Sequence, residues 1–473
     1  MSEGGVDGTV AAVRLAEGAP LGSALDAGEP GDWLALDAGV REVAWYRSAP
    51  LPEWEHSAPL PVDLAQLDES RLALALCHRD GRIRQEAVRR AAPYPGLLPL
   101  IVIRCTDWVG PVRGQAQRLL REVLDADAAV CLAPLILRVG RRRRGAYGIV
   151  VLGEILRRAA HGRLIALLSS SDRVVRRFAY QVAVDTRLLG PAELARAAAQ
   201  DRDSLIQDLC ATAALAALCD AEAYGDVLPH LLTASNPRTR SAGVTALRKA
   251  GRPEEATRFL GDRSALVRAC ARYVVRQHGG DPVAWYRERC ASPDCADVPP
   301  GAVIGLAECR NRADAGLLWP LLANPAAGVR ARAVAGLRTL DCAHSERLRP
   351  LLDDPAPGVV RETAVALLPS AQELPADWLL ERTGSERARH IRLAAFRLLV
   401  ARGGIAALRA AVALLEDPDA KLRAWAGQAV QGWRPSVVER GCAVEVGELL
   451  DRSRHLFSDY VLLRRKWAAG VPG

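Results

Sequence analysis

The sequence predicts an all-α fold, a right-handed α-solenoid in which about a dozen helix-turn-helix units of about 31 residues stack in single file. Three observations predict it. First, a motif of a branched residue, an arginine and an alanine (V-R-x-x-A) recurs at that interval along most of the 473 residues. Second, hydrophobic residues make up 50% of the chain but aromatic residues only 5%, which favours closely packed helices over strands. Third, apolar residues follow the branched residue at positions four and eight, the spacing of one helical face.

The N-terminal part of the chain lies outside the repeat pattern. Residues 1–31 are rich in glycine and acidic residues and are predicted to be disordered. Residues 32–69 combine tryptophans such as Trp33 and Trp54 with several prolines. We expect this segment to form an N-terminal cap, because a terminal repeat must cover one open face. The alternative for the segment is an aromatic patch that binds a peptide.

The repeat array is predicted to span residues 70–434, followed by C-terminal cap helices and a tail at residues 435–473. Eleven steps of about 31 residues separate the first motif arginine, Arg84, from the last, Arg423. The eight clear copies are Ile83-Arg84, Val112-Arg113, Val175-Arg176, Val267-Arg268, Val329-Arg330, Val360-Arg361, Ile391-Arg392 and Leu422-Arg423, and the weaker ones are Arg143-Arg144, Ile206-Gln207, Thr239-Arg240 and Ala302-Val303. Such a period is typical of stacked units with one extended surface.

The unit around Arg330 shows how each repeat is expected to fold. A first helix at residues 317–322 ends at the turn dipeptide Asn324-Pro325. A second helix then carries Val329 and Ala333 on one face. The small residue at the alanine position lets neighbouring helices pack closely, so we expect the alanines of all copies to lie in helix interfaces.

This unit resembles the HEAT repeat, in the short bacterial form that also occurs in phycobilin-lyase-like proteins. The turn residue followed by V-R-x-x-A carries the resemblance, which covers residues 70–434 and departs from the pattern at residues 285–315, where the arginine is absent. The resemblance implies that each motif arginine pairs with acids and carbonyls in the turns of adjacent repeats. The alternative is a ladder of guanidinium groups that bind a ligand.

No catalytic motif is present in the sequence, and we expect no enzyme activity, no metal site and no cofactor. The eight histidines are far apart and lack the i, i+4 spacing of a zinc site. Some HEAT-like proteins resemble DNA glycosylases that use tryptophans and an acid, and Asp107 beside Trp108 is the candidate pair for that alternative. A lyase or chaperone for a prosthetic group is a further alternative, without a candidate ligand.

The cysteines and the N-terminus indicate an intracellular protein. The eleven cysteines include no C-x-x-C pair, which favours reduced thiols. Neither a signal peptide nor a membrane-spanning stretch is recognisable in the sequence. We therefore expect a soluble, cytoplasmic protein.

The positive charge of the chain is concentrated in one segment. The net charge is +8, and the stretch from Arg138 to Arg177 holds eleven arginines opposed by Glu154 and Asp172. The run of arginines at residues 141–144 is expected to be exposed, and such a run attracts phosphate or acidic protein surfaces. The segment is therefore either a binding patch or a solvated loop in an arginine-rich chain.

Positions two and six residues after the branched residue are expected to face the concave surface of the solenoid. They are basic and polar in the first repeats and small or partly apolar in the later ones, whereas a protein that follows a duplex needs a continuous basic stripe. The candidate partner-binding residues are Arg89, Arg118, Arg141, Arg142, Arg143, Arg144, Arg177, Gln181, Tyr273 and Arg397.

The sequence therefore predicts a non-catalytic scaffold that binds a protein or peptide partner on its concave surface. The alternative is a nucleic-acid-binding or DNA-alkylation-repair-like HEAT protein that uses the patch from Arg138 to Arg177.

Overall fold

The computed structural model describes residues 6–46, 67–220, 222–292, 294, 297–434 and 442–471 of the chain. Within these residues the regular elements are helices and no strand occurs, so the predicted all-α class is confirmed. The chain divides into two compact units, Met1–Thr239 and Arg240–Gly473. Part of each predicted cap, including Trp54 and residues 435–441, lies outside the described residues. None of the described helices is both long and apolar enough to cross a lipid bilayer.

The first unit contains fourteen helices in its described part. They are α1 (Gly8–Ala16), α2 (Leu21–Ala24), α3 (Pro30–Tyr46), α4 (Glu69–Cys77), α5 (Gly81–Arg90), α6 (Leu98–Arg104), α7 (Gly110–Val123), α8 (Ala126–Val139), α9 (Ala146–Arg158), α10 (His161–Leu168), α11 (Arg173–Asp185), α12 (Pro191–Gln200), α13 (Ser204–Ala216) and α14 (Tyr224–Thr233). The boundary between the two units falls inside the next helix, α15 (Pro237–Ala246).

The second unit continues the same pattern with shorter first helices. Its helices are α16 (Ala265–Gln277), α17 (Pro282–Cys290), α18 (Pro300–Glu308), α19 (Ala315–Leu318), α20 (Ala327–Thr339), α21 (Ser345–Leu348), α22 (Pro357–Leu367), α23 (Ala376–Glu381), α24 (Arg389–Arg402), α25 (Gly404–Ala413), α26 (Ala420–Gly432), α27 (Ala443–Arg452) and α28 (Asp459–Ala468). A 3₁₀ helix, Pro253–Phe259, takes the place of a first helix before α16.

The helices form HEAT-like pairs that stack in chain order. In the first unit the second helices of successive pairs, α5, α7, α9, α11 and α13, each contact the next one. In the second unit α16, α18, α20, α22 and α24 do the same, and α26 packs against its partner α25. Each pair thus buries its apolar face against its neighbours, which is how a repeat array builds a continuous core.

The second helices share one register when residues are counted from the first helical position. In all twelve second helices of the described chain, the third and seventh residues are buried, and in most of them these two positions hold the branched residue and the small residue of the motif. The seventh residues are Ala87, Ala116, Leu152, Ala179, Cys210, Gly243, Ala271, Leu306, Ala333, Thr363, Ala395 and Ala426. The expectation that the motif alanines lie in helix interfaces is therefore confirmed for the seven alanines at this position, whereas the eighth, Ala364, follows Thr363 by one residue.

The motif copy at Val360-Arg361 is shifted by one residue relative to this register. Because α22 begins at Pro357, Val359 occupies the buried third position and Val360 the fourth, so Arg361 falls at the fifth. The turn sets this start, since the Asp354 carboxylate accepts a hydrogen bond from the Ala356 N–H at 2.8 Å. One residue of shift rotates a side chain by about 100° around a helix, which moves Arg361 out of the helix interface.

The weaker copy at Arg143-Arg144 is not part of a helix. Since α9 begins at Ala146, the arginines at residues 141–144 lie in the turn before it and are exposed, as predicted for this run. The motif positions of this repeat are instead occupied by Gly148 and Ile149.

Prolines shorten the first helices of the second unit. The helix predicted at residues 317–322 is a four-residue α-helix, α19, followed by the 3₁₀ helix Pro320–Ala323. Pro320 has no N–H to donate to the preceding turn, which removes an α-helical hydrogen bond where α19 gives way to the 3₁₀ helix. Pro350, the second residue of the 3₁₀ helix Arg349–Asp353, removes one in the same way after α21.

The prediction that residues 1–31 are disordered is wrong for the part that the structure describes. Helix α1 begins at the capping residue Asp7, and its Ala11 and Leu15 are fully buried. Composition did not reveal this, because the helix packs through small residues. An added Cβ at Gly39 of α3 would meet the backbone of Gly8, so the two helices cross in direct backbone contact.

We expect the substitution Gly39→Ala to release α1 from α3. Forcing a methyl group against a backbone costs about 1–3 kcal/mol, so α1 should exchange its amide hydrogens faster and be cleaved sooner by proteases. Gly22→Ala is the matched control, because nothing lies within 4 Å of a Cβ at that position. Equal protection of α1 in the two variants would contradict the packing described here.

Candidate protein-interaction surface

A polar residue at the fourth position of a second helix can tie two repeats together, and Arg330 shows the geometry. Its Nη1 donates to the carbonyl oxygens of Asn324 and Pro325 in its own turn, at 2.9 and 3.0 Å. Its Nε and Nη2 donate to the two carboxylate oxygens of Asp354, in the turn of the next repeat, at 2.8 and 2.9 Å. The flat guanidinium suits this bidentate contact.

We call the arginines at this fourth position the arginine ladder. Its members are Arg84, Arg113, Arg176, Arg240, Arg268, Arg330, Arg392 and Arg423. Six of them contact an acid in a later element. The pairs are Arg84 with Asp107, Arg176 with Asp201, Arg240 with Asp262, Arg268 with Glu308, Arg330 with Asp354 and Arg392 with Asp417. Arg113 and Arg423 donate to carbonyls of their own turns. The implied pairing with an adjacent repeat is therefore confirmed for these six arginines, whereas the contacts of Arg113 and Arg423 in the described residues are to their own turns and Arg361 lies outside the ladder.

A glutamine can fill the same position without a charge. Gln207 donates its amide N–H to the carbonyl of Asp201 at 2.5 Å and accepts from the Asn236 side chain at 2.7 Å. These are the same two contacts that the arginines make, one to the helix's own turn and one to the next turn. The position is thus defined by stacking geometry and not by a requirement for positive charge.

Of the pair Asp107 and Trp108, Asp107 is the acidic partner of a ladder arginine. Both Asp107 carboxylate oxygens accept from Arg84 at 2.8 Å, and Arg104 donates to one of them at 3.1 Å. Burial alone would raise the pKa of Asp107, but hydrogen bonds from Arg84 and the Val109 N–H and the charge of Arg104 outweigh it and hold that pKa below its usual value. The carboxylate is buried in ion pairs, whereas the Trp108 side chain is exposed.

The basic segment from Arg138 to Arg177 is partly neutralised by acids from outside it. The pairs are Arg157 with Asp185 at 3.6 Å, Arg163 with Asp127 at 2.6 Å, Arg176 with Asp201 at 3.4 Å and Arg177 with Asp203 at 2.7 Å. Counting charges along the sequence could not show this, because the partner acids come from neighbouring repeats. The positive field of the segment is weaker than its local composition suggests.

Four of the candidate residues form the exposed turn between α8 and α9. Arg141, Arg143 and Arg144 extend into solvent. Arg142 approaches the fold, and its Nη1 donates to the Thr106 hydroxyl at 3.4 Å. Burial, with the nearby charges of Arg104 and Arg41, lowers the pKa of Arg142 although Asp37 opposes the shift.

The other candidates lie on separate second helices. Arg89 pairs with Glu86 at 3.1 Å, and Arg118 is exposed. On α11, Arg177 is bound to Asp203, and Gln181 donates to Asp185 at 2.8 Å. On α16, the exposed Tyr273 hydroxyl accepts from Arg248 at 3.3 Å. Of the ten candidates, Arg397 is the one that lines a cavity described below.

The cavity lies on the faces of α22, α24 and α26 and has a volume of about 550 Å³. We call it the α22–α26 pocket. It is lined by residues at the second, fifth, sixth and ninth positions of these helices, which form one helical face, together with Pro357 and Ala364. These residues are Gly358 and Arg361 of α22, His390, Leu393, Ala394 and Arg397 of α24, and Lys421 and Trp425 of α26. We call this side of the second helices the second-helix face.

The pocket combines a fixed apolar floor with cations around it. The ring of Trp425 packs edge-to-face on the buried Phe396, with ring centroids 4.8 Å apart. His390 also lines the pocket, and its Nε2 lies 3.3 Å from the carbonyl oxygen of Asp354. A second cavity of about 370 Å³ lies on the other side of Trp425 and reaches Trp433 and Arg434.

Sequence reasoning missed most of this pocket. It selected Arg397 but not Lys421 or Trp425, and it placed Arg361 in the stacking position. Counting each helix from its turn residue, Asp354 in this repeat, would have placed Arg361 correctly. Within the described residues, no group of three or more histidine, cysteine or acidic side chains could hold a metal ion.

Comparison with known proteins adds distant helical repeat structures. No protein-family model matches the sequence, and no curated protein matches it. The solved structures that it is similar to include Kap121p (13% identity, 76% of this chain and 48% of that chain, TM-score 0.31), Kap95p with RanGDP (12%, 83% and 64%, TM-score 0.38) and importin beta (14%, 94% and 68%, TM-score 0.34). The chain spans about half the length of the Kap121p chains. At these TM-scores the likeness adds nothing to what the helix pairs themselves show.

Proposed function

We propose that the protein is a non-catalytic HEAT-like scaffold that binds a protein or peptide partner on the second-helix face, the side expected to be concave. The observation that carries the proposal is the α22–α26 pocket, with its cationic Arg361, Arg397 and Lys421 and its apolar floor. A concave, mainly apolar site with a few well-placed polar groups is the usual form of a binding site.

The ladder supports the proposal by separating two roles. Arginines at the fourth position hold the repeats together, whereas the ninth position is exposed to solvent in most second helices. A partner can therefore contact this outer position without disturbing the stacking. The proposal places the protein in the cytoplasm, and the ten cysteines of the described chain are all free thiols, in keeping with a reducing compartment.

The alternative is binding of nucleic acid through Arg138 to Arg177. It requires binding to generic duplex DNA that weakens steeply with salt and is lost on charge reversal of Arg141 to Arg144. The pairing of four arginines of this segment with aspartates favours the protein partner instead.

Affinity capture from the native host with the full chain tests the proposal. We expect a protein partner whose capture is reduced at least about tenfold by Arg397→Glu, because reversing a charge within an interface is costly. Arg276→Glu is the matched control, since this exposed arginine lies on α16, away from the pocket. The proposal would be contradicted if the captured protein is retained equally by both variants and by a variant in which the charges of Arg361 and Lys421 are reversed. Salt-sensitive binding of duplex DNA that is lost on charge reversal of Arg141 to Arg144 would also contradict it.

A further inference from the structure

We infer that the α22–α26 pocket takes an acidic peptide segment that places an aromatic or aliphatic side chain on Trp425 and its carboxylates on Arg361, Arg397 and Lys421. This inference rests on the proposed function and specifies the chemistry of the partner.

The cations of the pocket are available because the fold does not use them. Arg361 has a side chain that is 72% exposed, and its acidic neighbour is Glu362 at 3.4 Å. Glu362 also meets Arg338 at 3.5 Å, so one carboxylate serves two guanidinium groups. Arg397 and Lys421 are exposed and make no side-chain ion pair within the described part of the chain. The cluster therefore has an excess of positive charge that an acidic ligand would offset.

The absence of a ladder partner for Arg361 follows from the local sequence. The turn before α24 reads Thr383-Gly384-Ser385-Glu386, and Glu386, at the place that Asp354 and Asp417 take three residues before α22 and α26, contacts Arg387 at 3.6 Å. Arg392 instead contacts Asp417 and donates to the Thr383 carbonyl at 3.1 Å. Since Val360 fills the ladder position of α22, Arg361 is positioned at the fifth place, on the pocket side.

The apolar floor is suited to one buried side chain. Ala364 and Ala394 are buried and Leu393 is half-buried, so small and aliphatic groups form the base. The contact with Phe396 fixes the plane of Trp425, and a fixed aromatic wall orders a ligand side chain at little entropic cost.

The distribution of charge favours a peptide over a nucleic acid strand. Three adjacent helices at spacings of about 8–10 Å span about 20 Å, the length of about six extended residues. The neighbouring helix α20 has Ala331 and Ala335 at its fifth and ninth positions but the exposed Arg332 at its sixth, whereas α18 before it has no cation at its second, fifth, sixth or ninth position. Positive charge on this face is thus confined to the stretch from α20 to α26, whereas a phosphate chain gains affinity from a continued row of cations.

Fluorescence anisotropy with the full chain tests the inference. The probe is a labelled ten-residue peptide with a central Phe-Leu pair flanked by glutamates. We expect saturable binding that weakens at least about tenfold in the Arg361→Glu/Arg397→Glu variant. The Arg276→Glu/Arg452→Glu variant is the charge-matched control, because both of its arginines are exposed and lie outside the pocket, and its affinity should stay within about twofold.

Two altered probes separate the parts of the site. A peptide with glutamines in place of the glutamates should bind more weakly, because it loses the contacts with Arg361, Arg397 and Lys421. A peptide with serines in place of Phe-Leu should also bind more weakly, because it loses the contact with the apolar floor. The inference would be overturned by an oligothymidylate that binds the wild-type chain more tightly than the peptide does and loses its binding in the Arg361→Glu/Arg397→Glu variant. Equal loss of peptide binding in both double variants would also overturn it.

The proposed function and this inference fail differently. If the acidic peptide does not bind the wild-type chain while a captured partner still depends on Arg397, the inference is wrong and the proposed function stands. If no captured partner depends on the second-helix face, the proposed function falls as well.

Discussion

Replacing Arg84 by methionine is expected to destabilise the contact between α5 and α7 by about 3 kcal/mol, because breaking a buried ion pair leaves its partners without compensation. The Arg84 side chain and its partner Asp107 are each 1% exposed. The substitution also removes the donor to the carbonyls of His78 and Arg79. Arg104 retains one contact with Asp107, which limits the loss. Hydrogen exchange of the peptides that cover α5 and α7 measures the change directly.

Arg361→Met is the matched control for this prediction. Both arginines belong to the same V-R-x-x-A sequence pattern, but Arg361 is at the fifth helical position and exposed. Its replacement should change local stability by less than about 0.5 kcal/mol. Equal losses at Arg84 and Arg361 would show that the motif, and not the helical position, decides the role of the arginine.

Acidification is expected to unfold the array through the same ion pairs. The net effect of the fold is to lower the pKa of Asp107, Asp262, Asp354 and Glu308. Burial acts to raise each pKa, but the hydrogen bonds and charges of the arginine partners outweigh burial. A carboxyl group whose pKa is lower in the folded than in the unfolded chain stabilises the fold at pH values above its unfolded pKa of about 4. This contribution is lost as the pH falls through the folded pKa. Each unit of lowering is worth about 1.4 kcal/mol, and four groups act together.

Urea unfolding between about pH 6 and pH 3 checks this expectation. The free energy of unfolding should fall over that range and stay nearly constant above it. The Asp354→Asn variant should be less stable at neutral pH and should lose less on acidification. Added salt separates this effect from general repulsion, because it screens exposed charges more than the buried pairs. A stability that is independent of pH over the range would contradict the ladder.

The helical class and the repeat period could be predicted from the sequence because they depend on local spacing. The buried third and seventh positions follow from the motif itself, as Val329 and Ala333 show. The partners of the ladder arginines were implied by the resemblance to HEAT repeats, and most of the acids lie in the turns where that resemblance expects them, whereas Glu308 is the last residue of α18. The helical register repeats in twelve second helices, so one repeat that departs from it does not obscure the pattern.

The positions that sequence reasoning missed depend on contacts that are remote in the chain or on one residue of register. Arg361 was misplaced because a pair of valines, Val359 and Val360, allows two alignments, and the choice between them is made by the Asp354 turn. The aspartates that neutralise Arg163 and Arg177 come from neighbouring repeats. Trp425 gains its place in the pocket from its contact with Phe396 of the preceding repeat, which no local pattern indicates.

A double-mutant cycle between Arg330 and Asp354 tests the stacking role of the ladder most directly. The variants Arg330→Met, Asp354→Asn and their combination are compared with the wild-type chain by free energy of unfolding. The bidentate contact, at 2.8 and 2.9 Å between largely buried side chains, predicts a coupling free energy of about 1–3 kcal/mol. Additive losses, with a coupling free energy near zero, would contradict the claim that these arginines join one repeat to the next.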